Sequence, residues 1–255
     1  AIIGTPVPAV IGTDYKALGR MTEKKTGLPV LTIDTNGMDL YDRGQEKAWL
    51  ALFKKFVVDE MSVEKGRVGI IGATPQDLSD LSAGDQLRQI FAADGKKAVC
   101  YGMGDGLDAV KQAASAEYNL VVSPSALETA KYLQKQFGTP YVVGYPLVKT
   151  MLPEADYTGK KVLIVHQQVM ANALREELKM RGASEVKVCS WFDLKPDLRE
   201  EDDVYLKEED DFTELAADSK WDVVIADDCM KSMLPKFDGQ FIRHFAVSGK
   251  LGGAC

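Results

Sequence analysis

Four cysteines, two histidines and a few loops where apolar runs end are where this chain of 255 residues could do chemistry. The cysteines are Cys100, Cys189, Cys229 and Cys255. None forms a Cys-x-x-Cys pair, and neither histidine stands at metal-ligand spacing from any of them. Cys100, in Lys97-Ala98-Val99-Cys100-Tyr101, and Cys189, in Val186-Lys187-Val188-Cys189, read as small hydrophobes inside buried strands. Free thiols of that kind point to a reducing compartment. His166 closes the run Val162–Val165 and reads either as structural or as facing a ligand cleft. Gly102-Met103-Gly104-Asp105-Gly106 joins a strand to a helix, a place where backbone N–H groups can hold an anion. Its third glycine comes one residue early for the dinucleotide fingerprint, and Asp105 as a helix cap also accounts for the segment. Asp34-Thr35-Asn36-Gly37 and Ile71-Gly72-Ala73-Thr74-Pro75 are similar strand-end loops. Ser123 ends another apolar run, with Ser125 placed to cap the next helix. No Walker loop is present, so ATP hydrolysis by this chain is not expected, and no Ser-His-Asp or Cys-His order stands out.

The elements that must position these residues alternate. Strands are expected at Leu28–Ile33, Arg67–Ile71, Lys97–Tyr101, Asn119–Val122, Tyr141–Gly144, Lys161–Val165, Glu185–Cys189 and Asp222–Ala226. Runs such as Val162-Leu163-Ile164-Val165 suit strands covered on both faces, as in parallel sheets. Between them, Gln45–Asp59, Ser125–Phe137 and Val169–Met180 carry apolar residues at helical spacing. The alternation predicts an α/β protein of stacked, doubly wound (Rossmann-like) parallel-sheet domains. Boundaries at 59–66 and 153–159 divide it into the tail of a first α/β domain (1–65), a second (66–158) and a third (159–255). The segment 198–211 is dense in acid and reads as a solvated loop, or as a docking surface for a basic partner or divalent ion.

Composition bounds the partners. A formal net charge of -7 with scattered basic pairs argues against nucleic acid. No apolar run approaches the ~20 residues that span a bilayer, and no signal-peptide pattern opens the chain, so a cytoplasmic protein without membrane contact is expected. Residue 1 is Ala and the chain stops at Leu251-Gly252-Gly253-Ala254-Cys255, which reads as a segment of a longer protein.

The first residues carry a family signal. They run Gly4-Thr5-Pro6-Val7-Pro8, Val10-Ile11-Gly12-Thr13-Asp14-Tyr15, Thr26-Gly27-Leu28-Pro29-Val30 and Ile33-Asp34-Thr35-Asn36-Gly37, with Gly44 ahead of an Ala/Leu-rich helix. This order resembles the catalytic component of nitrogenase and its relatives, the component 1 type. The likeness is strongest over Thr5–Leu52 and continues where Asn119-Leu120-Val121-Val122-Ser123-Pro124 leads to Phe137-Gly138-Thr139-Pro140-Tyr141. It goes on in Gly159-Lys160-Lys161-Val162, Trp221-Asp222-Val223-Val224-Ile225 and Ile242-Arg243-His244.

The resemblance implies an oxidoreductase subunit that pairs with a like subunit and accepts electrons from an ATP-dependent iron–sulfur reductase. It implies an iron–sulfur cluster in the full-length complex, though none is evident in these residues. Pro6 stands where the family's cluster-binding cysteine is expected; Thr13 replaces the first of two aspartates and Asp14 keeps the second. Ser123 stands where the cofactor-carrying nitrogenase chain has a cysteine, and serine is a poor ligand for a soft cluster. A substrate other than dinitrogen is therefore expected. His244 falls near that chain's histidine ligand, the loops Asp34–Gly37 and Ile71–Pro75 match family loops that line the space between domains, and Gly102 opens the loop that could hold an anion. Ser123, His244, Gly102 and Asp34 are thus the candidate cofactor-binding residues. The alternative is a cluster-free binding module that holds a small anionic or tetrapyrrole-like ligand in an interdomain cleft.

Overall fold

The computed structural model describes residues 1–78, 81–192, 194–217 and 221–243. Apolar strands and amphipathic helices alternate through them, and every strand pair is parallel. The chain opens with β1 (Ile2–Ile3), which pairs with β2 (Thr32–Ile33) across α1 (Pro6–Val10) and α2 (Tyr15–Thr26). The strand expected over Leu28–Ile33 is therefore reduced to its last two residues. Pro29 has no N–H to donate, Leu28 is exposed, and the Val30 N–H goes to the Glu23 carboxylate at 2.8 Å. Asp14 starts α2 by accepting from the Ala17 N–H at 2.9 Å.

Helix α3 (Tyr41–Phe56) begins four residues earlier than its apolar spacing suggested and leads to β3 (Glu64–Ile71). Then follow α4 (Ala83–Ala93), β4 (Lys97–Cys100), α5 (Leu107–Lys111), β5 (Ala116–Val121), α6 (Leu127–Phe137) and β6 (Tyr141–Val143). These strands form a sheet in the order β4-β3-β5-β6. The chain leaves β3 for one neighbour and later crosses back to the other, so the sheet reverses between β3 and β5. Trp49 and Phe53 of α3, with Val57 just past its end, pack on this sheet against Ile71, Val99, Tyr101 and Val121. Phe53 is wholly buried with its ring edge-on to Tyr101 at 5.2 Å. Burial of such a ring stabilises the fold by about 2–3 kcal/mol.

Beyond α7 (Val148–Met151) come β7 (Lys161–Val165), α8 (Gln168–Met180), β8 (Glu185–Ser190), β9 (Val204–Tyr205), α9 (Glu209–Ala217), β10 (Val223–Ala226), α10 (Asp228–Lys231) and β11 (Gln240–Arg243). Their sheet has the order β11-β10-β7-β8-β9 and reverses between β7 and β10. One apolar core runs from Val68, Leu87 and Leu120 through Leu147 and Tyr157 of the connector to Val162, Leu174 and Ile225.

The acidic segment is not simply a solvated loop. Asp203 is buried and pairs with the buried Arg175 at 2.8 Å, Glu200 reaches the same guanidinium at 2.6 Å, and β9 follows directly. The apolar edge position of Val204 and the charge of Arg175 draw the acids onto the sheet. None of the described helices is long and apolar enough to cross a membrane.

Candidate functional site

Beyond the carboxyl ends of β3 and β5, where the sheet reverses, lies the crevice position at which open α/β sheets bind ligands; in this chain buried polar side chains pack it. Three parts of the chain meet there. After β3 the backbone turns at Gly72, whose φ is +94°. A Cβ at that position would stand 2.9 Å from Ala126 Cβ and 3.1 Å from the Ser123 nitrogen, so only glycine lets the two strand ends approach. The turn carries Thr74 and Gln76 and ends in Asp77, which is 3% exposed. The N-terminus of α3 brings Tyr41, whose hydroxyl donates to Asp77 Oδ1 at 2.8 Å, and Gln45. Gln45 donates to Thr74 Oγ1 at 3.3 Å and to Gln76 Oε1 at 3.2 Å, and its own carbonyl accepts from the Ser125 hydroxyl at 3.2 Å. Ser123 bonds Ser125 at 3.0 Å and also reaches Asp77.

The second sheet closes the crevice from the far side. Gln167, directly after β7, donates through Nε2 to the Val122 carbonyl at 2.8 Å. Phe192, after β8, meets the Tyr41 ring edge-on at 4.7 Å. Lys195 pairs with Glu46 of α3 at 2.6 Å, and Lys131 of α6 with Asp197 at 2.7 Å. On the flank of this junction, Val143, Asn172, Glu176, Arg199 and Glu200 border a cavity of about 330 Å³.

Burial sets the protonation of the centre. It raises the Asp77 carboxyl from its ordinary 3.8 to about 6, against the hydrogen bonds from Tyr41 and Ser123 and with help from the neighbouring Asp42. Burial, then the charge of Asp77, pushes the Tyr41 phenol far above its usual range, so Tyr41 remains an O–H donor. The cluster is thus a set of hydroxyls and amides around one carboxyl that changes charge near pH 6.

The residues singled out in the sequence distribute unevenly. Ser123 lies in the crevice, 2% exposed. Gly102 lies at the end of β4 with φ +88°, and a Cβ there would meet Trp49 at 2.6 Å and the Ala73 carbonyl at 3.0 Å. It therefore borders the turn after β3 through backbone packing. The Asp105 carboxylate does not cap α5. It accepts from the Cys100 N–H at 2.7 Å and pairs with Arg88 at 3.0 Å, which closes the Gly102–Gly106 loop on itself. Asp34 is exposed at the end of β2, where its carbonyl accepts from Lys47 Nζ at 2.9 Å, apart from the Asp77 cluster. His166 is buried, and its Nδ1 accepts from the Gln167 N–H at 2.7 Å. Ser125 does not cap α6, which starts at Leu127; its hydroxyl is drawn to Gln45 instead. His244 and Cys255 lie outside the described residues. Sequence reasoning missed Tyr41, Gln45, Asp77, Gln167 and Phe192. The Gly72-Ala73-Thr74-Pro75 loop was the one available pointer, two residues short of Asp77.

Stacked parallel sheets, with a cluster of polar side chains where one of them reverses, define an α/β protein of Rossmann-like architecture. Comparisons with known proteins give the lineage. The family described as nitrogenase component 1 type oxidoreductase matches residues 1–148, and the chain belongs to that family. A structure of nitrogenase Cp1 at pH 6.5 superposes with a TM-score of 0.73 at 14% identity, covering 98% of this chain and 69% of that one. A structure of nitrogenase Cp1 at pH 5 gives 0.71 at 14% identity, with 96% and 65% covered. At that identity the likeness concerns the fold.

Members of this family generally bind iron–sulfur clusters, and the described residues do not fit one. Pro6, in the place of the expected cysteine, lies so close to Gly37 that a Cβ there would be 2.7 Å from its ring carbons. Cys100 and Cys189 are buried in β4 and β8 of different sheets, and burial raises their thiols to about 11 and about 12, away from the thiolate a cluster needs. Cys229 is exposed on α10. Among the described residues no group of three or more His, Cys, Asp or Glu could hold a metal ion.

Proposed function

We propose that this chain forms the ligand-holding core of a component 1 type oxidoreductase subunit. In this reading it pairs with a like subunit in the cytoplasm and works with electrons from an ATP-dependent iron–sulfur reductase on a substrate other than dinitrogen. The divisions 1–65, 66–158 and 159–255 are its units, with α3 as the element by which the first leans on the second. Any cluster is held by residues beyond the described ones. Ser123 contributes a hydroxyl to the crevice rather than a ligand to a metal. The observation that carries this reading is the convergence of α3, the ends of β3 and β5, and the loops after β7 and β8 on the β3–β5 reversal.

A second reading is a cluster-free module that holds a small anionic or tetrapyrrole-like ligand in the same crevice; Pro6 against Gly37 favours it. One experiment separates the two. The natural full-length protein, made with cluster-assembly machinery and purified without oxygen, is assayed for iron and acid-labile sulfide. It is then mixed with the reductase and ATP while its visible absorbance is followed. Stoichiometric iron and sulfide with ATP-dependent bleaching support the oxidoreductase. Folded protein without either supports the module.

A further inference from the structure

The Asp77 cluster has a property that holds whichever ligand the crevice takes. Asp77 joins three separate elements: the turn after β3, the start of α3 through Tyr41, and the end of β5 through Ser123. Tyr41 in turn is the residue on which Phe192 of the five-stranded sheet rests, at 4.7 Å. One buried carboxyl therefore stands behind the contact between the two sheets. We propose that Asp77 is a proton-controlled latch: as a neutral carboxyl it keeps Tyr41 seated under Phe192 and the crevice closed, and its ionisation loosens that seat.

The physical argument is the cost of a buried charge. Two hydroxyls, from Tyr41 and Ser123, solvate the ionised form in the closed crevice, and they do not make up for the lost water. Opening the joint rehydrates Asp77 and restores an ordinary carboxyl. The groups that face Asp77 are Tyr41 and Asp42 from α3 and the uncharged Ser123 from the end of β5, while the segment after β8 reaches it only through the Phe192 ring on Tyr41. Closing raises the carboxyl's pKa from 3.8 to about 6. The closed state is therefore fully favoured below 3.8, weakens as pH rises toward 6, and levels off above it. The gap corresponds to a shift of about a hundredfold in the ratio of closed to open.

Hydrogen–deuterium exchange of the whole protein, corrected for intrinsic rates, tests this between pH 4.5 and 7.5. Segments 36–45 and 186–192 report the joint, and 161–165 in the core of the five-stranded sheet serves as control. The expected result is protection at the joint that falls by tenfold or more between pH 4.5 and 6.5, is flat above 7, and leaves the control unchanged. Asp77→Asn should hold the low-pH level throughout. Asp42→Asn should move the fall to lower pH, because one neighbouring negative charge is gone. Unchanged protection in the wild type overturns the latch. So does a fall that persists in Asp77→Asn, which would assign it to another group such as the Lys195–Glu46 pair. The wild-type and Asp42→Asn profiles decide the matter even if Asp77→Asn does not fold.

Discussion

The two larger parallel sheets each reverse direction at their first strand, and the polar side chains at the two reversals are used differently. At the β7–β10 reversal they serve mainly the local backbone, with the Gln167 amide also reaching the Val122 carbonyl. Gln167 accepts from the Val169 and Met170 N–H groups at 2.7 and 3.3 Å, His166 accepts from Gln167, and Asp227 accepts from the Cys229 N–H at 3.0 Å. At the β3–β5 reversal Tyr41, Gln45, Asp77, Ser123 and Ser125 bond to one another across elements far apart in sequence. A side chain that caps its own helix stabilises that helix and has little left for a ligand. A side chain held by distant partners can lose them to a ligand or to a change in charge. The same topology thus yields one reversal tied chiefly to its own backbone and one tied across elements far apart in sequence.

Substitutions can break or sharpen that contrast. The largest effect is expected at Gly72→Ala. The left-handed backbone and the contact with the Ser123 nitrogen leave no room for a methyl, and the loss should be about 3 kcal/mol or more in a urea titration. A substitution at His166, the position after β7 without such a backbone demand, should not show this strain. Next is the pH dependence of stability. Asp77 has a folded pKa of about 6 against 3.8, so its contribution is present below 3.8 and lost as pH rises to about 6. That loss is about 3 kcal/mol; it should be present in full in the difference between wild type and Asp77→Asn above pH 7, where both profiles run parallel. Gln167→Ala should cost about 2 kcal/mol through the uncapped α8 and the Val122 carbonyl, with no new pH dependence. Ser125→Ala should cost about 1 kcal/mol or less, since Gln45 keeps its bonds to Thr74 and Gln76. An equal response of both reversals to pH would remove the distinction between them.

Much of the fold was legible because parallel strands buried on both faces are continuous apolar runs. β7 and β10 could be read almost to the residue for that reason. The short edge strands β9 and β11 lacked such runs, and β9 lay hidden in an acidic segment in which Arg175 pairs with Glu200 and Asp203. Of the site, Ser123 was legible as a strand end at the reversal. Tyr41 looked like a residue ahead of a helix and Asp77 like part of a polar loop.

Residue order alone determined the α/β alternation, the burial of Cys100 and Cys189, and the short motifs that mark the component 1 lineage. Those properties are local: they depend on hydrophobic periodicity and on neighbours within a few residues. The tertiary structure alone decided that Tyr41 meets Asp77 thirty-six residues away, that Gln167 reaches Val122, and that Phe192 rests on Tyr41. Such pairings follow from how the sheets stack and from how much water that stacking removes. Charge state and hydrogen-bond partner are set by that removal, and no local pattern records it.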